Sequence, residues 1–468
     1  MKICVLQPDY STSAVDYQHY DPPRDLAPLL PGDEVHTVFL NKLTVYKQLQ
    51  SLSKKGYDIF VNLCEGYLEW EVPSIDVIYT LELLNLPFTG PSTLLYDAPK
   101  ELMKYVAYCE GIKTPAYQLI HTVSDAESAC NQLQFPLFIK PAKAGDSLGI
   151  DEQSLVQDKQ ALIEKVKDTI VAYDELLVEE YIAGREFTVL VVANSDGKTS
   201  KVLQPVEFIF PEGRKFKTYA LKTSELHTDA NTPVTDKALA AELTNAAERI
   251  FKSFNGVGYA RLDFRMNDKN ELYFLEINFT CSVFYTNGYE GSADYILRYD
   301  GIGQQGFLQH IIAEGMARHQ RQQKKYTVKR NSIAGYGIYA SVDINKGEVV
   351  FEGEGKAQRM VTKKFVDENW DGAEKENFRR YAYPISKDVY ILWDNNPAEW
   401  APQNHSCQAN TVYKGLNVVA LQPIKKGEEL TLDYATFLDE TAEPFTCSCG
   451  SPHCRKYITG RPGNAIGQ

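Results

Sequence analysis

The chain has 468 residues, enough for three or four domains of ordinary size. Hydrophobic residues at 44% and charged residues at 24% exclude a wholly disordered, collagenous or low-complexity chain. A net charge of −13, from 49 basic and 62 acidic residues, argues against nucleic acid as the main partner.

No apolar run reaches the roughly 18 residues that a membrane helix needs, so no membrane association is expected. The start, MKICVLQPDYS, turns polar too soon for a secretory signal. The expected compartment is the cytoplasm. From Lys325 onward 18 basic residues balance 18 acidic ones, so the earlier residues carry the whole negative excess. That shift predicts two modules, joined near the basic run at residues 318–330.

In chain order, MKICVLQP reads as a buried strand and YDIFVNL (57–63) as another. Residues 73–86 have helical periodicity. Strand and helix alternate, which predicts an α/β layer with a parallel sheet. A helix through KELMKYVAYCEG stops at Gly111. The stretch FPLFIKPAKAGDSLGI (135–150) delivers Lys140 on a strand and then a small-residue loop, 144–149, able to turn its backbone N–H groups toward phosphates. In LLVEEYIAGREFTVLVV (176–192), Glu179 and Glu180 end a strand, and by themselves they read as solvated acids.

GYARLDFRMNDKNELYFLEINFT (258–280) reads as a hairpin turning at 267–270. Asp263 lies on one strand, and Glu276 and Asn278 on the other. Side chains two apart share a face, so three oxygen ligands can converge on a hard cation such as Mg²⁺.

Beyond residue 326 short strands dominate: YTVKR, GIYASV, EVVFEGE, VYILWD, VVALQ and EELTLDY. Residues 357–389 read as a charged helical insert. Gly335-Tyr336-Gly337 reads as a link between strands where a ligand can approach the backbone. Asn404-His405-Ser406-Cys407 is a polar run. Cys447, Cys449 and Cys454 form a CxCx₄C set, one donor short of a closed tetrahedral Zn²⁺ site, and Cys407 is the candidate fourth ligand. The other five cysteines read as small buried hydrophobes.

In their order and spacing, NLPFTGP, Lys100, FPLFIKPAKAGDSLG, VEEYIAGREFTV, PVEF, Lys222 and RLDF…FLEIN resemble the ATP-grasp superfamily, most closely its D-alanine–D-alanine ligase branch. The resemblance implies ATP and Mg²⁺ as cofactors. Lys100, Lys140 and Lys222 would contact phosphates, and the loop with Ser147 would close over them. Glu179 and Glu180 would form the base and ribose hinge, and Glu186 would contact the ribose. Asp263, Glu276 and Asn278 would hold Mg²⁺, and Arg261 would stabilise the transferring group. The implied chemistry is activation of a carboxylate as an acyl phosphate, followed by attack of an amine. Asp146, Thr223, the segment 278–283 and Gln7-Pro8-Asp9-Tyr10 depart from the dipeptide ligases, so a product other than D-alanyl-D-alanine is expected.

GYGIYA, NHSCQAN, GEELTLDY and the CxCx₄C tail resemble a SET domain with a post-SET zinc tail. That resemblance implies S-adenosylmethionine and Zn²⁺. Gly335, Tyr336, Gly337, Asn404 and His405 would contact the methyl donor, and Tyr434 would be catalytic. Leu432 stands where relatives carry phenylalanine or tyrosine and brings no hydroxyl, so addition of several methyl groups is expected.

The expected architecture is therefore multidomain: an N-terminal α/β ATP-grasp fold, then a mostly-β SET domain. Its segments are 1–100, 101–185 and 186–320 for the ligase module, 326–438 for the SET domain and 439–460 for the zinc tail. The expected function is bifunctional, joining a carboxylate–amine ligase to a lysine or amine N-methyltransferase. Amino acids or peptides are the expected substrates, and the chain is expected to form a homodimer. The alternative is a protein-lysine methyltransferase acting on a lysine-bearing protein, with the ATP-grasp module in recognition.

Overall fold

The computed structural model describes residues 1–12, 21–65, 72–96, 98–143, 149–212, 216, 230–331, 335–355, 358–393 and 403–461. The chain divides into two compact units, Met1–Arg321 and Gln322–Gln468.

In the first unit, β1 (Lys2–Pro8), β2 (Glu34–Leu40) and β3 (Ile59–Asn62) form a parallel sheet in the order β2-β1-β3. Strands β1 and β3 are continuous apolar runs because both of their faces are covered. The edge strand β2, mostly exposed, has no such run and gave no clear sequence signal.

Next come β4 (Tyr117–Ile120), β5 (Leu137–Pro141), β6 (Leu155–Val156) and β7 (Leu176–Glu180), an antiparallel sheet in the order β4-β7-β5-β6. The helices Val123–Gln132 and Lys159–Tyr173 bury Ala126, Ala129, Leu162 and Val166 in its core.

The third sheet holds β8 (Arg185–Ala193), β9 (Ser200–Val202), β10 (Val206–Phe208), β11 (Asn231–Pro233), β12 (Tyr259–Met266) and β13 (Leu272–Asn278). Its order is β11-β10-β8-β12-β13, with β9 pairing on β8. Alternation along β8 feeds two cores. Phe187, Val189 and Val191 pack with the helix Lys237–Ser253, while Leu190 and Val192 pack with the helices Ser292–Asp300 and Gly303–Gln322. The β12–β13 hairpin turns at 267–270 as expected, with Asn270 at φ +59°.

The second unit is built of small sheets around Ile338, Val350, Ile391, Val418 and Leu430. Tyr326–Asn331 pairs with Gly335–Ala340, so Gly335-Tyr336-Gly337 lies inside a strand rather than between two. EELTLDY contributes only Thr431–Leu432 to a strand and then enters a 3-10 turn at Tyr434–Thr436. The insert is not helical throughout. It opens with the strand Gln358–Thr362, paired to Val389–Trp393, before the helices Lys363–Asn369 and Gly372–Tyr381. The tail pairs Phe445–Thr446 with Tyr457–Ile458. Among the described residues no helix is long and apolar enough to cross a membrane.

Candidate functional sites

A cleft opens in the first unit where the second and third sheets face each other. Lys140, Glu179, Glu186, Asp263, Arg265 and Glu276 line it, with Phe138, Ile182 and Leu275 as apolar walls. Six of the sequence-predicted residues therefore border one space, since Glu180 lines its rim as well. Ser147 and Lys222 lie outside the described residues.

The strand β7 carries Glu179 inward, where it is buried rather than solvated. Its Oε1 lies 2.7 Å from Lys140 Nζ on the adjoining β5, and its Oε2 lies 2.8 Å from Lys104 Nζ. Burial alone would raise this carboxyl. The two ammonium groups outweigh burial and hold it at about 2. Lys104 sits one turn after Lys100 on the helix Lys100–Cys109, and both are on its buried face. Burial lowers the Lys104 pKa. Glu180 points to the other face of β7, where its Oε1 accepts from Gln134 N at 2.9 Å.

Asp263 on β12 stands directly opposite Glu276 on β13, and Arg261 opposite Asn278. Arg261 Nη2 lies 3.2 Å from Asp263 Oδ2, and Thr188 Oγ1 donates to Asp263 Oδ1. Burial works against the Arg261 charge, but Asp263 beside it raises its pKa. Lys100 Nζ lies 3.9 Å from Glu276 Oε2. The donor set is all oxygen, two carboxylates and one amide, which suits a hard divalent cation. Asn278 is the least available of the three, because its Oδ1 accepts from Thr280 N and Oγ1 at 2.9 and 3.2 Å.

Arg265 was not foreseen. It continues the Arg261–Asp263 row two residues on, it is buried, and its guanidinium lies over the rings of Tyr181 and Phe210. Its Nε is 3.5 Å from Glu186 Oε2. The alternation of β12 is the signal that could have found it.

In the second unit, Asn404 Nδ2 donates to Tyr336 O and to Glu429 Oε1, both at 2.8 Å. The Glu429 carboxylate also accepts from Asn331 Nδ2 at 2.9 Å. A Cβ on Gly337 would overlap that carboxylate, which explains the glycine there. Gly335 needs its φ of +83° instead. Tyr434 donates its backbone N–H to His405 Nδ1 at 3.1 Å and its hydroxyl to Gln403 O at 2.6 Å. Hydrogen bonds thus tie Tyr336 to Asn404, and His405 and Gln403 to Tyr434. The open space is beside Gly335, where nothing lies within 4 Å of the position a Cβ would take.

The four cysteines converge. The Sγ atoms of Cys407, Cys447, Cys449 and Cys454 all lie within 4.8 Å of one another, and Cys407 and Cys447 are 3.9 Å apart. Four sulfurs around one zinc ion at about 2.3 Å would stand roughly 3.8 Å apart, so the set fits that metal. His405 Nε2 is 3.4 Å from Cys407 Sγ, which connects this cluster to the Tyr434 corner.

Two family models match. One, described as "D-ala D-ala ligase C-terminus", covers residues 108–286, and the other, "SET domain", covers residues 335–435. The chain is similar to a D-alanine–D-alanine ligase of Bordetella petrii, 29% identical over 266 residues that make up 54% of this chain and 78% of the relative. A D-alanine–D-alanine ligase of Syntrophotalea carbinolica is 33% identical over 206 residues, 42% of this chain and 61% of the relative. Among solved structures, the Bacillus anthracis ligase complexed with ATP superposes with a TM-score of 0.50 at 20% identity, covering 69% of this chain and all of that one. The Coxiella burnetii ligase gives a TM-score of 0.50 at 19% identity, covering 69% of this chain and 96% of that one. These likenesses establish the fold of the N-terminal part. One chain therefore carries a D-alanine–D-alanine-ligase-type ATP-grasp domain and, after it, a SET domain.

Proposed function

We propose that the protein is a bifunctional enzyme, an ATP-dependent carboxylate–amine ligase joined to an S-adenosylmethionine-dependent N-methyltransferase. The observation that carries the ligase half is the facing pair Asp263 and Glu276, flanked by Arg261 and Lys100, in the cleft that also holds Lys140. Mg²⁺ held by Asp263, Glu276 and Asn278 would supply charge neutralisation on the phosphates. Lys140 and Lys100 bring point charges to the same oxygens, and Glu186 meets the ribose. Arg261 holds the developing oxyanion, already oriented by Asp263. Positioning and electrostatics are most of what phosphoryl transfer asks of a protein.

For the second half, the methyl donor supplies a methyl group on a positive sulfur. The strand 335–337 and Asn404 bind its methionine end. Tyr434, held by Gln403 O and His405, turns its hydroxyl toward the accepting amine. The four cysteines, holding Zn²⁺, fix the tail against His405. The ligase substrates are amino acids or short peptides other than two D-alanines, and the methyl acceptor is the ligase product or one of its precursors.

The test is ADP release by the purified chain with Mg²⁺-ATP over single and paired amino acids, repeated with S-adenosylmethionine and read by mass spectrometry. Pair-dependent ADP release and a condensed product bearing added methyl groups are expected. Methyl transfer only to a lysine-bearing protein, with no response to any amino acid, would overturn the ligase half.

A further inference from the structure

We propose that Lys104 is the counter-ion that stays with Glu179 while Lys140 leaves that carboxylate for the nucleotide phosphates. The inference rests on the nucleotide reading of the cleft and assigns a positioning role to a residue outside it. Glu179 has two buried cations, one on each oxygen, at 2.7 and 2.8 Å. The two are not equivalent. Lys140 and Glu179 line the cleft, whereas Lys104 is not among its lining residues and lies behind them. Lys104 is also held from behind, 5.1 Å from the Tyr117 ring centroid, and its side chain is 2% exposed. Lys140 lines the cleft together with Glu179, Glu186 and Glu276, so it is the lysine of the two that an entering phosphate can reach.

A phosphate entering the cleft competes with Glu179 for Lys140. If Lys140 were the only partner, its departure would strand a buried carboxylate, a strongly unfavourable change. With Lys104 in place, Glu179 keeps one full charge against it throughout. Lys140 can then divide its hydrogen bonds between carboxylate and phosphate without an unpaired intermediate. The arrangement is a buried carboxylate with one resident and one transferable counter-ion.

The experiment is calorimetric binding of ATP, ADP and adenosine to the full chain and to K104M, E179Q and the double variant K104M/E179Q. K104M should weaken ATP and ADP by about tenfold or more, because Lys140 becomes the sole partner of a buried charge. Adenosine, which makes no demand on Lys140 and meets Glu179 only through the base hinge, should lose severalfold less than ATP does. Once Glu179 is neutral, Lys104 has no carboxylate to hold, so E179Q and K104M/E179Q should bind ATP within about threefold of each other. Equal losses of adenosine and ATP in K104M would indicate a damaged pocket and overturn the proposal. An ATP affinity in K104M equal to that of the unsubstituted chain would overturn it too. If K104M does not fold, the E179Q pair decides alone, and a larger gap between those two variants refutes the role. Absence of ATP binding by the unsubstituted chain would overturn the nucleotide reading itself, and this inference with it.

Discussion

Gly337→Ala tests the close approach of Gly337 to Glu429 in the second unit. The new methyl group meets the Glu429 carboxylate and the ring of Tyr339, so one of them must move. Glu429 cannot move cheaply, because it accepts from both Asn331 and Asn404. Overpacking of this kind costs about 1–3 kcal/mol. A charge-assisted hydrogen bond lost with it is worth about 1.5–3 kcal/mol, and the two are not additive. A net loss of about 2–3 kcal/mol follows, or roughly 5 °C or more in the melting temperature of a unit this size. Asn404 would lose its anchor, so S-adenosylmethionine affinity should fall about tenfold or more alongside stability. Gly347→Ala is the control. Its φ of +82° makes alanine costly by about 1–2 kcal/mol. Nothing lies within 4 Å of its missing Cβ, and it touches neither Asn404 nor Glu429. It should lower the melting temperature while leaving the methyl donor's affinity alone. Melting curves and calorimetric titration with S-adenosylmethionine separate the two variants. If both lose stability and both bind the donor normally, the reasoning about Glu429 and Asn404 is wrong.

Four other outcomes are expected. Tyr434→Phe should retain the methyl donor but lose methyl transfer by about 100-fold, because the hydroxyl now on Gln403 O is gone; single-turnover assays with bound donor check this. Cys454→Ser should abolish one-per-chain zinc in native mass spectrometry and expose amides in 438–461 to hydrogen exchange, since one of four converging sulfurs is removed. Glu179, held near 2 against an ordinary value of 4.5, contributes stability that is complete above about pH 4.5 and is lost as pH falls toward 2. E179Q should therefore flatten the acid limb of the stability curve between those values, as followed by urea denaturation at stepped pH. Arg265→Met should reduce discrimination between ATP and dATP, because Arg265 holds the Glu186 carboxylate; competition binding with the two nucleotides reads the ratio.

Motifs with fixed spacing were legible in the sequence, and groups recruited from elsewhere were not. The β12–β13 hairpin announced Asp263, Glu276 and Asn278 through period-two alternation, and the structure brings the first two face to face. The tail cysteines announced themselves by number, and Cys407 joins them across 40 residues of chain. Lys104 was invisible because a lysine in an amphipathic helix ordinarily marks the wet face, and only the third dimension reveals Glu179 beside it. Glu429 was missed for a similar reason. In Lys425-Lys426-Gly427-Glu428-Glu429 it reads as part of a charged turn, yet it binds two asparagines far away in sequence. The edge strand β2 and the strand Gln358–Thr362 lack the apolar runs of covered strands and owe their form to pairing with neighbours. The paired acids at 179–180 show the limit of local reasoning most directly. Neighbours in sequence, they face opposite sides of one strand, and one is buried between two cations while the other caps a backbone amide.

The cysteine cluster also has a history in time. Cys447 is translated 40 residues after Cys407, which at ordinary rates of synthesis is a delay of about two to eight seconds. During that interval the nascent SET unit carries Cys407 with none of its three sulfur neighbours. His405, which leans on that sulfur, meets the Tyr434 amide only once the chain has grown past residue 434. The Tyr434 corner and the cysteine cluster are thus completed late in the synthesis of the unit, and Cys407 oxidised in those seconds would leave the cluster one sulfur donor short.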